Sequence, residues 1–277
     1  ETILQVSQRT YSNAQYHGYY KSGNEYIFSY TLNGTKVLDS ITPLQSNDLK
    51  RLIEFQGNAT SQKIYLATNV EIKSRDKDSF TLKNGFTLHL SSSNKFTAEV
   101  KKSQLVVNIQ NIAKGSYLNC TISQKEQLPS ITTQTSLVTK IKQNKATLKN
   151  QTYKTSGING PNTSAYVIDD IELPYKNKTQ SLMFFTGIDF NQKGEAIICS
   201  LKGDLWRVTG LDQSLKSISW TKIASGLNQP FGLRIRHGII YVLERTRITA
   251  MHDKNGDGEI DFFECINNQI KERPRSH

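Results

Sequence analysis

Apolar and polar residues alternate through roughly the first half of the chain, the period of a strand with one face buried. Glu25-Tyr-Ile-Phe-Ser-Tyr30 leads into Asn33-Gly34 and then Thr35-Lys-Val-Leu38. Asn-Gly accepts positive φ at both central positions of a tight hairpin, so this stretch predicts strand, turn and strand. Further strands are predicted at Lys63–Ala67, Val70–Lys73, Ser79–Lys83, Phe86–Leu90, Phe96–Val100, Leu105–Ile109 and Tyr117–Ile122, with a second Asn-Gly turn at Asn84-Gly85. Asn47–Phe55 suits a helix or a strand equally. Many short strands at close spacing predict an antiparallel β-sandwich-like domain over residues 1–126.

The alternation fades over residues 127–160. Lys140, Lys142, Lys145, Lys149 and Lys154 lie there among Thr, Gln and Asn with hardly an acid, which reads as a polar basic linker. Order resumes at Ala165-Tyr-Val-Ile-Asp169. Gly187-Ile-Asp-Phe190, Glu195-Ala-Ile-Ile-Cys199 and Asp204-Leu-Trp-Arg-Val208 follow, with glycine turns between them. Trp220–Ala224, Phe231–Ile235, Ile239–Leu243 and Arg247–Met251 continue the alternation. Two such meanders have the build of propeller blades, so residues 161–277 read as about two blades of an incomplete β-propeller. The expected fold is all-β throughout. Because a propeller typically has about 4–8 blades, the expectation is an N-terminal portion of something longer.

The chemistry is concentrated near the end of the chain. Asp253, Asn255, Asp257, Glu259, Asp261 and Glu264 occupy positions 1, 3, 5, 7, 9 and 12 of a twelve-residue loop, with Gly258 at the sixth and Ile260 at the eighth. A hard cation takes six to eight oxygens, and a tight loop can aim alternate residues inward. Asp253, Asn255 and Asp257 would offer side-chain oxygens and Glu259 its carbonyl. Asp261 would act through water, and Glu264 would close the site with both carboxylate oxygens. A solvated acidic turn would also use Asp-Gly and Asn-Gly, but does not require acids at alternate positions. Ca²⁺ is therefore the expected ligand. A strand leads into the loop in place of an EF-hand helix, and the residues after Glu264 could form a short helix.

The chain has 277 residues, a net charge of +11 and 36% hydrophobic residues. Its lysines are spread out with no aromatic interleaving, so the charge reads as a solvated surface and not as a nucleic-acid site. No apolar run reaches the roughly 18 residues of a membrane helix. Cys120, Cys199 and Cys265 form no Cys-x-x-Cys, which leaves a buried role for Cys199 or a Cys199–Cys265 disulfide open. His237 and His252 lack a nucleophile partner in any known motif. Trp206 and Trp220 suit a blade core or a sugar-stacking platform. No catalytic residue is identified.

The run from Ala165 to Val208, then Ile223-Ala-Ser-Gly-Leu227, Gln229-Pro-Phe-Gly-Leu233, Gly238-Ile-Ile-Tyr-Val242 and His252–Glu259, resembles a family of large exported bacterial proteins. Their propeller is similar to that of quinoprotein glucose/sorbosone dehydrogenases, often with a c-type haem domain further on. A β-rich domain of unknown function commonly precedes it, and Tyr20, Gly23, Tyr26–Tyr30 and Gly34–Leu38 resemble a segment of that domain. The resemblance implies a periplasmic or extracellular location and a redox role in sugar or alcohol oxidation. PQQ or haem would be held by regions outside this sequence, which carries no Cys-x-x-Cys-His. Sugars, glycans or a redox partner are the implied partners. The alternative is a non-catalytic exported glycan- or protein-binding module stabilised by calcium.

Overall fold

The computed structural model describes residues 13–44, 48–124, 134–148, 151–163, 165–178 and 181–270. It is all-β apart from one short helix, its sheets are antiparallel, and the chain divides into two compact units, Glu1–Gln143 and Asn144–His277.

The first unit holds β1 (Ala14–Ser22), β2 (Glu25–Leu32), β3 (Thr35–Pro43), β4 (Leu49–Phe55), β5 (Ala59–Thr68), β6 (Ile72–Asp76), β7 (Ser79–Leu82), β8 (Thr87–Ser92), β9 (Phe96–Lys101), β10 (Gln104–Ile112) and β11 (Tyr117–Ser123). One sheet runs β1-β2-β3-β4-β11-β8-β7-β6 and a second runs β5-β10-β9. Asn33 and Gly34 take φ of 46° and 83°, so the β2–β3 hairpin closes as the Asn-Gly pair predicts. Asn47 lies outside the described residues, and the described part of Asn47–Phe55, which suited helix or strand, forms β4. Its alternate residues Ile53 and Phe55 enter a core shared by both sheets, with Val37, Ile64, Leu66, Val107 and Leu118.

Inside that core lies a charged pair. Arg51 donates from Nε and Nη2 to the two carboxylate oxygens of Asp39, at 3.1 and 2.7 Å, and Tyr30 OH donates to Asp39 Oδ2 at 2.8 Å. Burying both ions is tolerable only because each satisfies the other. The opposite face of β2–β4 is covered by helix α1 (Leu137–Lys142), whose Leu137 packs on Ile27, Leu38 and Leu52. Glu54 anchors the helix by accepting from Leu137 N and Ser136 Oγ, and Lys140 pairs with Glu25 at 2.7 Å.

The second unit holds β12 (Thr152–Thr155), β13 (Gly157–Ile158), β14 (Asp170–Ile171), β15 (Phe185–Phe190), β16 (Ala196–Ser200), β17 (Leu205–Thr209), β18 (Ile218–Ala224), β19 (Gly232–Arg236), β20 (Ile239–Leu243), β21 (Ile248–His252) and β22 (Phe262–Asn267). Strands β15 to β18 form a sequential meander, with β12 added beyond β18, and β13 pairs with β14 alone. Strands β19 to β22 form a second sequential meander. The first strands of the two meanders lie against each other. Ile235 N donates to Asp189 Oδ2 at 2.8 Å and Thr186 Oγ1 to Pro230 O at 2.6 Å. Gly187 permits this approach, since a Cβ there would fall 2.8 Å from Leu233 N. Trp206 and Trp220 are buried with Ile198, Val208 and Met183, which makes them core and not a sugar platform.

Two expectations change. Ala165–Asp169 is not a strand: Tyr166 and Ile168 are 90% and 78% exposed, and a short apolar run alone does not order a strand. The residues after Glu264 continue β22 to Asn267, paired with β21, so no helix forms there. Of the two roles open to Cys199 the buried one holds: its side chain is buried and all three thiols are free, with no Cys199–Cys265 disulfide. The basic stretch 127–160 lies partly outside the described residues, and its described part contains α1, β12 and β13. Residues 271–277 also lie outside them.

Candidate metal loop

Strands β21 and β22 pair from Ile248↔Asn267 to His252↔Phe262, so residues 253–261 are the connection of an antiparallel hairpin. Positive φ at Gly256 (74°) and Gly258 (87°) turns the chain twice within it. Asp253 Oδ1 accepts from Gly256 N at 2.7 Å and Asp257 N at 3.2 Å, and its Oδ2 accepts from Gly258 N at 2.8 Å. Asn255 Oδ1 accepts from Asp257 N, and Asp257 Oδ1 from Glu259 N. Asp261 Oδ2 reaches back to Lys254 N and Asn255 N at 2.7 and 3.2 Å. Side chains at alternate positions thus hold the backbone in its turns, as short Asp and Asn side chains do.

Three acceptor oxygens converge on the Asn255 side-chain nitrogen: Asp257 Oδ2 at 3.1 Å, Asp261 Oδ1 at 3.2 Å and the Asn144 carbonyl at 3.2 Å. Asn144 Nδ2 also donates to Asp261 Oδ1 at 2.8 Å. Among the described residues, no basic side chain forms an ion pair with Asp253, Asp257 or Asp261.

The other two acids face elsewhere. Glu259, 8% exposed, accepts from Thr147 N, Thr147 Oγ1 and Leu148 N. Glu264 lies on β22, where its Oε2 is 2.7 Å from His252 Nε2. Ile260 is buried, and its N–H donates to Ile223 O on β18, tying the loop to the first meander. Asn144 and Thr147 were not among the expected site residues, because nothing local in the sequence tells which distant segment will dock on a loop.

Comparison with protein-family models, with curated proteins and with solved structures gave no match.

Hard oxygen donors of Asp253, Asn255, Asp257 and Asp261 suit calcium better than a soft metal. Among the described residues, however, no three His, Cys, Asp or Glu side chains are arranged as a metal-binding group. The loop brings four of the six expected residues into one hydrogen-bonded network and leaves the carboxylates of Glu259 and Glu264 outside it. For Glu259 this agrees with a role through its carbonyl alone. Beside the loop, Arg207, Ile223, Ile240, Met251 and Ile260 line a cleft of about 220 Å³.

Proposed function

We propose that the Asp253–Glu264 loop binds Ca²⁺ and that the second unit is the opening of a β-propeller in an exported protein of the quinoprotein glucose/sorbosone dehydrogenase-like kind. The metal would act as a structural staple across the β21–β22 hairpin. The convergence of Asp257, Asp261 and the Asn144 carbonyl on one amide nitrogen carries the reading. An amide offers two N–H donors to three acceptors, and among the described residues neither carboxylate there forms an ion pair with a basic side chain. A cation would neutralise them. Asp253, Asn255, Asp257, the Glu259 carbonyl and Asp261 would hold it, and Glu264 would join by leaving His252.

The propeller part is supported by two consecutive meanders whose first strands abut. Ile188 (55%), Phe190 (56%) and Leu243 (43%) are exposed on these strands, the kind of apolar surface that neighbouring blades cover. On this reading the chain supplies scaffold and calcium binding, and PQQ or haem chemistry belongs to other regions. A periplasmic or extracellular setting suits a calcium site of about 10⁻⁴–10⁻³ M affinity.

Thermal melts with Ca²⁺ or Mg²⁺ test the metal. A rise with millimolar Ca²⁺ that Asp257→Asn abolishes is expected, and the absence of any Ca²⁺-dependent rise would refute the site. Sugar-dependent dye reduction after adding PQQ tests the scaffold role, and turnover by this chain would overturn it.

A further inference from the structure

On the first unit, the sheet β5-β10-β9 turns one face to the core and the other outward. The outward face is built from cross-strand rows. Tyr65, Val106 and Glu99 form one row, Lys63, Asn108 and Thr97 the next, and Gln104 stands opposite Lys101. Together Lys63, Tyr65, Glu99, Lys101, Lys102 and Gln104 line a cleft of about 230 Å³ over Val106. Val106 is only 7% exposed, while Lys63, Lys101 and Lys102 are exposed. Val106, the one aliphatic residue of the floor, is thus covered by its neighbours, and the lysines around it stand in water. Lys102 and Ser103 make the β9–β10 turn with φ of 48° and 57°, a left-handed conformation in which glycine or asparagine is usual. That turn places Lys102 beside Lys101 at the cleft.

We propose that this cleft binds an acidic polysaccharide, a chain of sugars bearing carboxylates. This proposal is independent of the calcium reading, since it uses only residues of the first unit. Charge complementarity carries it. Lys63 on β5 and, diagonally across β10, Lys101 on β9 with Lys102 in the adjoining turn set three positive charges around the cleft. Between them lie side chains that both donate and accept hydrogen bonds, Gln104 and Asn108, suited to sugar hydroxyls. Tyr65, half-buried on β5, offers a ring to a pyranose face.

Two other polyanions fit less well. Single-stranded nucleic acid is held by successive aromatic platforms, and this face has one ring. A membrane surface favours protruding apolar side chains beside the lysines, and the apolar residue here is covered. Glu99 sits in the row with Tyr65 and disfavours dense phosphate charge near the β9 edge.

Affinity electrophoresis of the full chain through gels containing polygalacturonate, dextran, or neither tests the proposal, with fluorescence titrations against oligothymidylate and phosphatidylglycerol vesicles alongside. Retardation by polygalacturonate but not by dextran is expected, weakening as salt rises. The exposed double variant Lys63→Glu/Lys101→Glu should bind at least about tenfold more weakly, and Lys36→Glu/Lys73→Glu, of equal charge but elsewhere, should keep most of the affinity. Tyr65→Ala should lose binding while leaving the net charge unchanged. Circular dichroism melts establish that each variant is folded. The proposal is overturned by an absence of retardation, by equal losses in the two double variants, or by tighter binding to the oligonucleotide or the vesicles.

Discussion

His252 Nε2 and Glu264 Oε2 stand 2.7 Å apart across the β21–β22 hairpin, with the imidazole 16% and the carboxylate 42% exposed. In this position the Glu264 carboxylate is turned to His252 and lies outside the hydrogen-bonded network of the loop. If the proposed site uses Glu264, His252 competes with the metal. His252→Asn is then expected to tighten Ca²⁺ binding about two- to thirteenfold, the equivalent of one hydrogen bond released, about 0.5–1.5 kcal/mol. Glu264→Gln should weaken it. Calorimetric titration of both variants checks this, and unchanged affinity in Glu264→Gln would remove that residue from the ligand set.

Asp39 neutralises Arg51 at 2% exposure inside the first unit. Asp39→Ala leaves a buried guanidinium without its partner, so a loss of about 3–5 kcal/mol is expected. Urea unfolding, followed by circular dichroism, measures it. Replacing Asp39 and Arg51 together by apolar residues of similar volume should cost much less, because neither ion then remains buried alone.

Acid should loosen the seat of α1. Partial burial raises the Glu25 pKa, but hydrogen bonds from Lys140, Ser40 and Thr42 and the charge of Lys140 outweigh it, and the carboxyl ends below its ordinary 4.5. A lowered folded value means that the stabilisation is complete above pH 4.5 and is lost as pH falls through the folded value. Melting temperatures taken from pH 6 down to about pH 3 should therefore fall, and the fall should be shallower in Glu25→Gln.

The thiols should differ in reactivity. Burial pushes the Cys120 pKa up to about 12, and burial raises Cys199 as well. Neither should react with iodoacetamide at about pH 8 while the chain is folded, since the thiolate is the nucleophile. Cys265 is also raised by burial but is partly exposed, so slow labelling is expected at that residue alone. Peptide mass spectrometry distinguishes the three.

Much of this molecule was legible in local pattern. Alternation placed β5, β7 to β11 and β15 to β21, although Trp220–Ala224 closes the first meander and does not open the second, and Asn33-Gly34 marked its hairpin, because strand burial and positive φ are properties of residues near one another in sequence. The glycines and spaced acids of Asp253–Glu264 fixed a loop whose side chains cap its own backbone. What only the tertiary structure decided depends on partners far apart in the chain. Ala165–Asp169 is a short apolar run yet stays exposed and joins no sheet among the described residues. Lys102-Ser103 closes a tight hairpin without the usual glycine, because pairing of β9 with β10 on both sides imposes the turn. Asn144 docks on the Asp253–Glu264 loop from more than a hundred residues away, and Lys63 and Lys101 come to one sheet face only when β10 lies between β5 and β9. Local chemistry wrote the strands and turns; long-range pairing chose which charges would face one another.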